Sequence, residues 1–244
     1  MTKKITKLML NWQEYEIREY QAGRQPWANT LLYYDFEHTS WTTETNMAWI
    51  SNYDGTYQTT PTISTLASGK KILTVNWDNA LNTNNTLSTL NYNNTTVCVW
   101  FNPVSTTENF YFWQERRGVQ WWTILCSNYM GSCSACLWPD SNNMSSITLN
   151  YGNWQNIVIT NDGTDSTVYI NGVQVWQTTM TTSTWDKYFH VGAVVIYAVP
   201  SPATAPSNRL GEASFWSVII ENKARTAQEI SDYYDLTKWN YWIS

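Results

Sequence analysis

Two turns between residues 154 and 176 constrain this chain more than any other feature. Asn161-Asp162-Gly163-Thr164 separates the strand-like Asn156 to Thr160 from Thr167 to Ile170, and Asn171-Gly172 separates that run from Val173 to Trp176. An Asn-Gly pair between alternating apolar residues suits a type I′ turn, which needs φ > 0 at both central positions and matches the twist of the flanking strands. The segment predicts a three-stranded antiparallel meander. Other runs read the same way: Leu31 to Phe36, Ile72 to Val75, Val97 to Phe101 ended by Asn102-Pro103, and Phe110 to Trp113 facing Val119 to Leu125 across Arg116-Arg117-Gly118. Between Trp41 and Thr96 the chain is rich in Thr, Asn and Ser, and strands there are faint. Residues 199–208 carry three prolines, which suit a surface loop and not a ladder interior.

The end of the chain changes period. Thr226 and Glu229 form a capping box, and Ile230, Tyr233 and Tyr234 follow with i, i+3, i+4 spacing, so a short amphipathic helix begins near Thr226. Residues 1–27 form a separate lead-in, with Ile5 to Leu10 and Glu14 to Tyr20 read as a hairpin. A lone two-stranded ribbon is marginal in water, so this segment needs a partner surface. Either it is an attachment or oligomerisation segment or it is an extra edge hairpin of the same domain.

Two segments carry a family resemblance. A Trp entering "NIVIT", a polar turn and "VYINGVQV" resemble the central hairpins of laminin G-like domains in the concanavalin A-like jelly-roll superfamily. "GEASFWSVIIENKARTAQEISDYYD" resembles the strand and helix that close such domains. The resemblance spans residues 28 to 238 and implies an all-β, antiparallel two-sheet sandwich with an N-terminal hairpin and one short C-terminal helix. The expected domains are 1–27 and 28–244. Folds of this kind host lectins, adhesion modules, virion proteins and glycanases, so fold alone does not assign function.

Composition narrows the partners. The net charge of -5 and the lack of a basic run argue against nucleic acid. No apolar run approaches the ~18 residues that span a bilayer, and "MTKKITKLML" lacks the long apolar region and cleavage site of an export signal. Sixteen tryptophans against ten glycines is an unusual ratio. It fits an aromatic core or a sugar-stacking surface. A second reading is that Trp12, Trp216 and Trp242, which stand where a small residue reads naturally, come from a gene in which UGA encodes glycine.

Constellations for chemistry are few. Glu14, Glu16 and Glu19 resemble the ExDxxE strand of laminarinase-type glucanases, but the middle acid is Glu and the motif precedes the first jelly-roll strand. An edge strand with solvent-facing acids is the expectation, and catalytic residues are expected to be absent. Cys126, Cys133 and Cys136 with Cys98 suit free thiols, a disulfide from Cys126, or a metal knuckle, which would need one of only two histidines or Cys98 as a further ligand. His38 follows a first-strand acid, and His190 reads as a satisfied core residue. No cofactor is expected, although the family resemblance leaves calcium open, with oxygens at Asp78, Asn79, Asp140, Asn142, Asn143, Asp162 and Asp165. Asp162 and Asp165 are more simply turn residues.

For a glycan, the candidate contacts are Trp121, Trp122, Trp138 and Asp140, a flat apolar face with a carboxylate beside it. The alternative is that a second layer or a neighbouring subunit buries these rings. The resulting expectation is a non-enzymatic structural or decoration protein of a phage or prophage virion, located on the particle or another extracellular surface. Its partners would be glycans, other virion proteins and further copies of itself, a trimer being preferred. An adhesion or carbohydrate-binding module of a secreted protein is the next reading, and a divergent glycanase the third.

Overall fold

A computed structural model describes residues 7–10, 13–16, 29–48, 51–75, 80–104, 109–115, 122–129, 132–137, 146–179, 188–192 and 212–240. Along the chain the first strands are β1 (Lys7–Leu10), β2 (Gln13–Glu16), β3 (Thr30–Tyr34), β4 (Thr43–Glu44), β5 (Gly55–Tyr57), β6 (Thr62–Thr65), β7 (Lys71–Val75) and β8 (Leu81–Thr83). Then come β9 (Thr95–Pro103), β10 (Asn109–Glu115), β11 (Trp122–Tyr129), β12 (Ser132–Leu137) and β13 (Gln155–Asn161). The series ends with β14 (Asp165–Ile170), β15 (Val173–Thr179), β16 (Tyr188–Val191), β17 (Ala213–Glu221) and the helix α1 (Ala227–Thr237).

The strands form two antiparallel sheets and a separate ribbon. One sheet runs β12-β11-β10-β16-β8-β5-β4, the other β15-β14-β13-β9-β17-β7-β6, with β3 also on β17. The ribbon β1–β2 pairs with neither, and its register runs from Lys7↔Glu16 to Leu10↔Gln13. The outer residues of the expected hairpin and residues 199–208, expected as a loop, lie outside the described residues.

The central strands of the larger sheet, β9, β13 and β17, are buried on both faces, which explains the almost unbroken apolar runs of β9 and β17. Along β9, Val97, Val99 and Phe101 point into the core between the sheets, while Cys98 and Trp100 join an outer cluster with Val158, Tyr169, Ile219, Ile230 and Tyr233. On the inner side Phe101 meets Tyr111, Phe112 and Phe215, with ring centroids 5.3, 6.1 and 5.9 Å away.

Several expectations are met in detail. The meander is β13–β14–β15, and Asn171 and Gly172 have φ of 52° and 79°. The capping box is complete: Thr226 Oγ1 accepts from Glu229 N at 3.2 Å and Glu229 Oε2 from Thr226 N at 2.9 Å. The pairing partner of β10 is Trp122–Tyr129; the expected start at Val119 and the turn at 116–118 lie outside the described residues.

α1 covers the outer cluster. Trp100 stacks on Tyr234 at 5.7 Å and its Nε1 donates to Thr237 Oγ1 at 3.1 Å. The link from β17 to α1 is held by a buried ion pair, in which Arg225 Nε and Nη2 donate to Glu221 Oε2 and Oε1 at 2.6 and 3.0 Å. The same guanidinium lies 5.1 Å above the Tyr233 ring. Removing one partner strands the other charge in the interior, whereas replacing both with apolar groups does not. Arg225→Ala should therefore cost about 3–5 kcal/mol by denaturant unfolding. The double variant Glu221→Met/Arg225→Met should cost clearly less, and equal losses would show that packing, not charge, governs this corner.

Candidate functional site

The site begins with an irregularity in β17. Against β9, Phe215 opposes Phe101 and Ser217 opposes Trp100, so Trp216 is an extra residue, a β-bulge. The other edge of β17 is shared. Ala213–Phe215 pairs with β7 and Val218–Glu221 with β3, leaving the ladder open opposite the bulge. There the chain leaves β3 at Asp35 and enters β7 at Lys71. The opening is a cleft of about 420 Å³ lined by Asp35, Glu37, His38, Ser68, Gly69, Lys70 and Trp216.

Local hydrogen bonding builds each wall. Phe36 has φ of 56°, a costly conformation for a bulky residue. It turns the chain so that Asp35 Oδ1 accepts from Glu37 N at 3.1 Å and pairs with His38 Nδ1 at 3.2 Å. Glu37 Oε1 accepts from Lys71 N at 3.1 Å, and Lys71 Nζ donates to Glu37 O at 3.1 Å. The opposite wall is the β6–β7 turn, closed by Leu66 N to Lys70 O and Gly69 N to Leu66 O, both 2.8 Å. Gly69 sits there at φ 82°.

Asp35 is the deepest polar group, with its side chain 7% exposed. Its Oδ1 is committed, while Oδ2 has no hydrogen bond among the described residues. Glu37 Oε2 is likewise open. The arrangement therefore offers two carboxylate oxygens as acceptors and Ser68 and Lys70 as donors, beside the indole of Trp216.

Glu44 anchors the wall from behind. It is fully buried; Oε1 accepts from Phe36 N at 3.1 Å, and Oε2 from Tyr57 OH at 2.9 Å and from Thr39 Oγ1. Burial, aided by the Asp35 charge, raises its carboxyl to about 7, against the opposing effect of the hydrogen bonds from Thr39, Tyr57 and Phe36.

The sequence-derived glycan contacts Trp121, Trp138 and Asp140 lie outside the described residues, and Trp122 opens β11 opposite Glu115. Of the calcium candidates, Asp78, Asn79, Asn142 and Asn143 are also outside them. Asp162 Oδ1 accepts from Thr164 N and Asp165 N, and Asp165 is bonded to Gln177 and Thr179, which makes both turn residues. Among the described residues no three His, Cys, Asp or Glu side chains converge to hold a metal.

Cys98 and Cys133 are free thiols, and Cys126 and Cys133 oppose Ala135 and Asn128 across β11 and β12. His190 is buried beside Asn82, and burial drives its imidazole down to about 3. Glu14 and Glu16 lie on β2, which pairs with β1 and with neither sheet, and Glu19 falls outside the described residues. Trp216 is 2% exposed and packs in the outer cluster. Sequence reasoning missed the cleft; its one signal was Asp35-Phe36-Glu37-His38, a polar run directly after a core strand.

Residues 74–231 match the family model of the concanavalin A-like lectin/glucanases superfamily. No curated protein sequence matches. Among solved structures, domain 4 of AbnA, a GH43 extracellular arabinanase from Geobacillus stearothermophilus solved with arabinotriose, aligns with a TM-score of 0.64 at 15% identity, covering 84% of this chain and 98% of that domain. The receptor-binding domain of botulinum neurotoxin D aligns at 0.58 and 14% identity, over 85% of this chain and 52% of that one. A botulinum neurotoxin type C structure, described with cell entry dependent on two ganglioside molecules, aligns at 0.58 and 12% identity, over 86% and 51%. The chain thus spans about half of the toxin domains it matches, and these likenesses establish the fold.

Glu44 gives the cleft wall a pH signature. Because its folded carboxyl sits near 7 and its ordinary value is 4.5, its contribution to stability is complete below 4.5 and is lost as pH rises to about 7. His190 works in the other direction, adding stability above 6.5 that is lost as pH falls towards 3. The unfolding free energy of the native chain minus that of Glu44→Gln isolates the first effect. That difference should fall by roughly 2–3 kcal/mol between pH 4.5 and 7 and be flat above; a difference that is flat throughout would refute the assignment.

Proposed function

Since the chain belongs to the concanavalin A-like lectin/glucanases superfamily, we propose that it is a glycan-recognition module without hydrolytic activity, and that sugar is held in the cleft at the Trp216 bulge. The observation that carries this reading is the open oxygen of Asp35, on a side chain only 7% exposed, in a cleft that also presents Glu37, Ser68 and Lys70. A sugar ring supplies the matching hydroxyl donors and acceptors, and buried polar groups of this kind give orientation. The arabinanase domain solved with arabinotriose supports the reading, because it shares the fold over nearly its whole length.

Binding without cleavage is the expected chemistry. Glycoside hydrolysis needs two carboxylates flanking one bond; the densest acid run, Glu14 to Glu19, falls in the lead-in, and the cleft's own pair, Asp35 and Glu37, stands on one wall, opposite Ser68 and Lys70. Calorimetric titration with arabinotriose and a glycan array should detect binding. Asp35→Asn should weaken it by about tenfold or more, the scale of a lost charge-assisted hydrogen bond, while no reducing ends are released from β-glucans or arabinans. Binding kept by Asp35→Asn but abolished by Trp121→Ala and Trp138→Ala would move the site to the loop aromatics. Reducing-end release by the native chain would overturn the non-catalytic reading.

The setting we favour is the exterior of a phage particle or cell, with residues 1–27 serving as the attachment and self-association segment. That the β1–β2 ribbon pairs with neither sheet supports this. Deleting residues 1–27 should leave a cooperatively melting, monomeric sandwich. A truncated chain that unfolds, or that sediments as the same oligomer as the full chain, would count against the assignment.

A further inference from the structure

We infer that the Asp35–Lys70 cleft selects uncharged sugar residues and rejects anionic ones. This rests on the glycan reading above and sharpens it. The atoms left open in the cleft are carboxylate oxygens, Oδ2 of Asp35 and Oε2 of Glu37, whose partner oxygens are held by Glu37 N, His38 Nδ1 and Lys71 N. An ionised carboxylate only accepts hydrogen bonds, so both atoms call for donors on the ligand. Sugar hydroxyls are such donors; the carboxylate of a sialic or uronic acid is not.

Charge points the same way. With histidine counted as neutral, the lining carries Asp35 and Glu37 against Lys70, and the chain as a whole carries -5. The Lys71 ammonium is bonded to the Glu37 carbonyl and does not line the cleft. Burial also weights these charges unequally. Asp35, at the floor, is shielded from solvent and ions, whereas Lys70 is only half-buried at the end of the exposed β6–β7 turn, where salt screens it more. A ligand carboxylate would therefore face the least screened charge in the cleft, and that charge repels it.

The test compares arabinotriose with sialyllactose and a uronic-acid trisaccharide, at low and high salt. The native chain should bind arabinotriose with little salt dependence and the two anionic sugars at least about tenfold more weakly, the scale of one unfavourable charge contact. Asp35→Asn/Glu37→Gln should weaken arabinotriose and narrow that gap. Thermal melting checks that the variant folds; if it does not, Glu37→Gln alone and Lys70→Gln provide the comparison, narrowing and widening the gap respectively. Equal or tighter binding of either anionic sugar would overturn the inference while leaving glycan recognition intact. Binding of none of the probes, or of any other glycan on an array, would overturn the glycan reading and this inference together.

Discussion

The fold depends on one strand shared between neighbours. β17 pairs along its length with β9, while its other edge is divided between β7 and β3. Without it the eight-stranded sheet splits between β9 and the group β3, β7 and β6, and α1 loses the surface it covers. Its partners lie more than a hundred residues away in sequence, so the sheet closes late, after a large loss of chain entropy. The Glu221–Arg225 pair and the capping box then fix the direction in which the chain leaves this strand.

What the sequence disclosed follows from the range of the forces involved. The meander and helix were legible because their signals are local: Asn171-Gly172 has the φ values its turn requires, and Thr226 and Glu229 satisfy each other within one turn. Val97 to Phe101 was legible because a strand buried on both faces needs apolar residues at nearly every position. β4, β5, β6 and β8 were not, because two to four residues of mostly Thr, Asn, Ser and Gly carry too little periodicity to separate strand from turn.

The cleft was hidden for a different reason. Asp35 and Lys70 are far apart in sequence and meet only because β3 and β7 end against the same stretch of β17. A polar run after a strand reads as a turn, and Asp35-Phe36-Glu37-His38 is one. Nothing local reveals that its first carboxylate is buried and held by its own loop, or that Glu44, across a short hairpin, braces it. Trp216, read from sequence as a place for a small residue, packs in the outer cluster beside the opening.

The bulge ties that opening to the hydrophobic core. By taking up one residue at Trp216, β17 keeps Phe215 on the inner face and returns to it at Val218 and Ile220. Pairing Trp216 in regular register instead would exchange the two faces beyond it, turning Ile219 inward and Val218 outward. The cleft is thus kept by a parity rule of the sheet, whatever it binds. Its walls, Asp35 to His38 and Ser68 to Lys70, are free to vary in sequence around a gap whose position they do not determine.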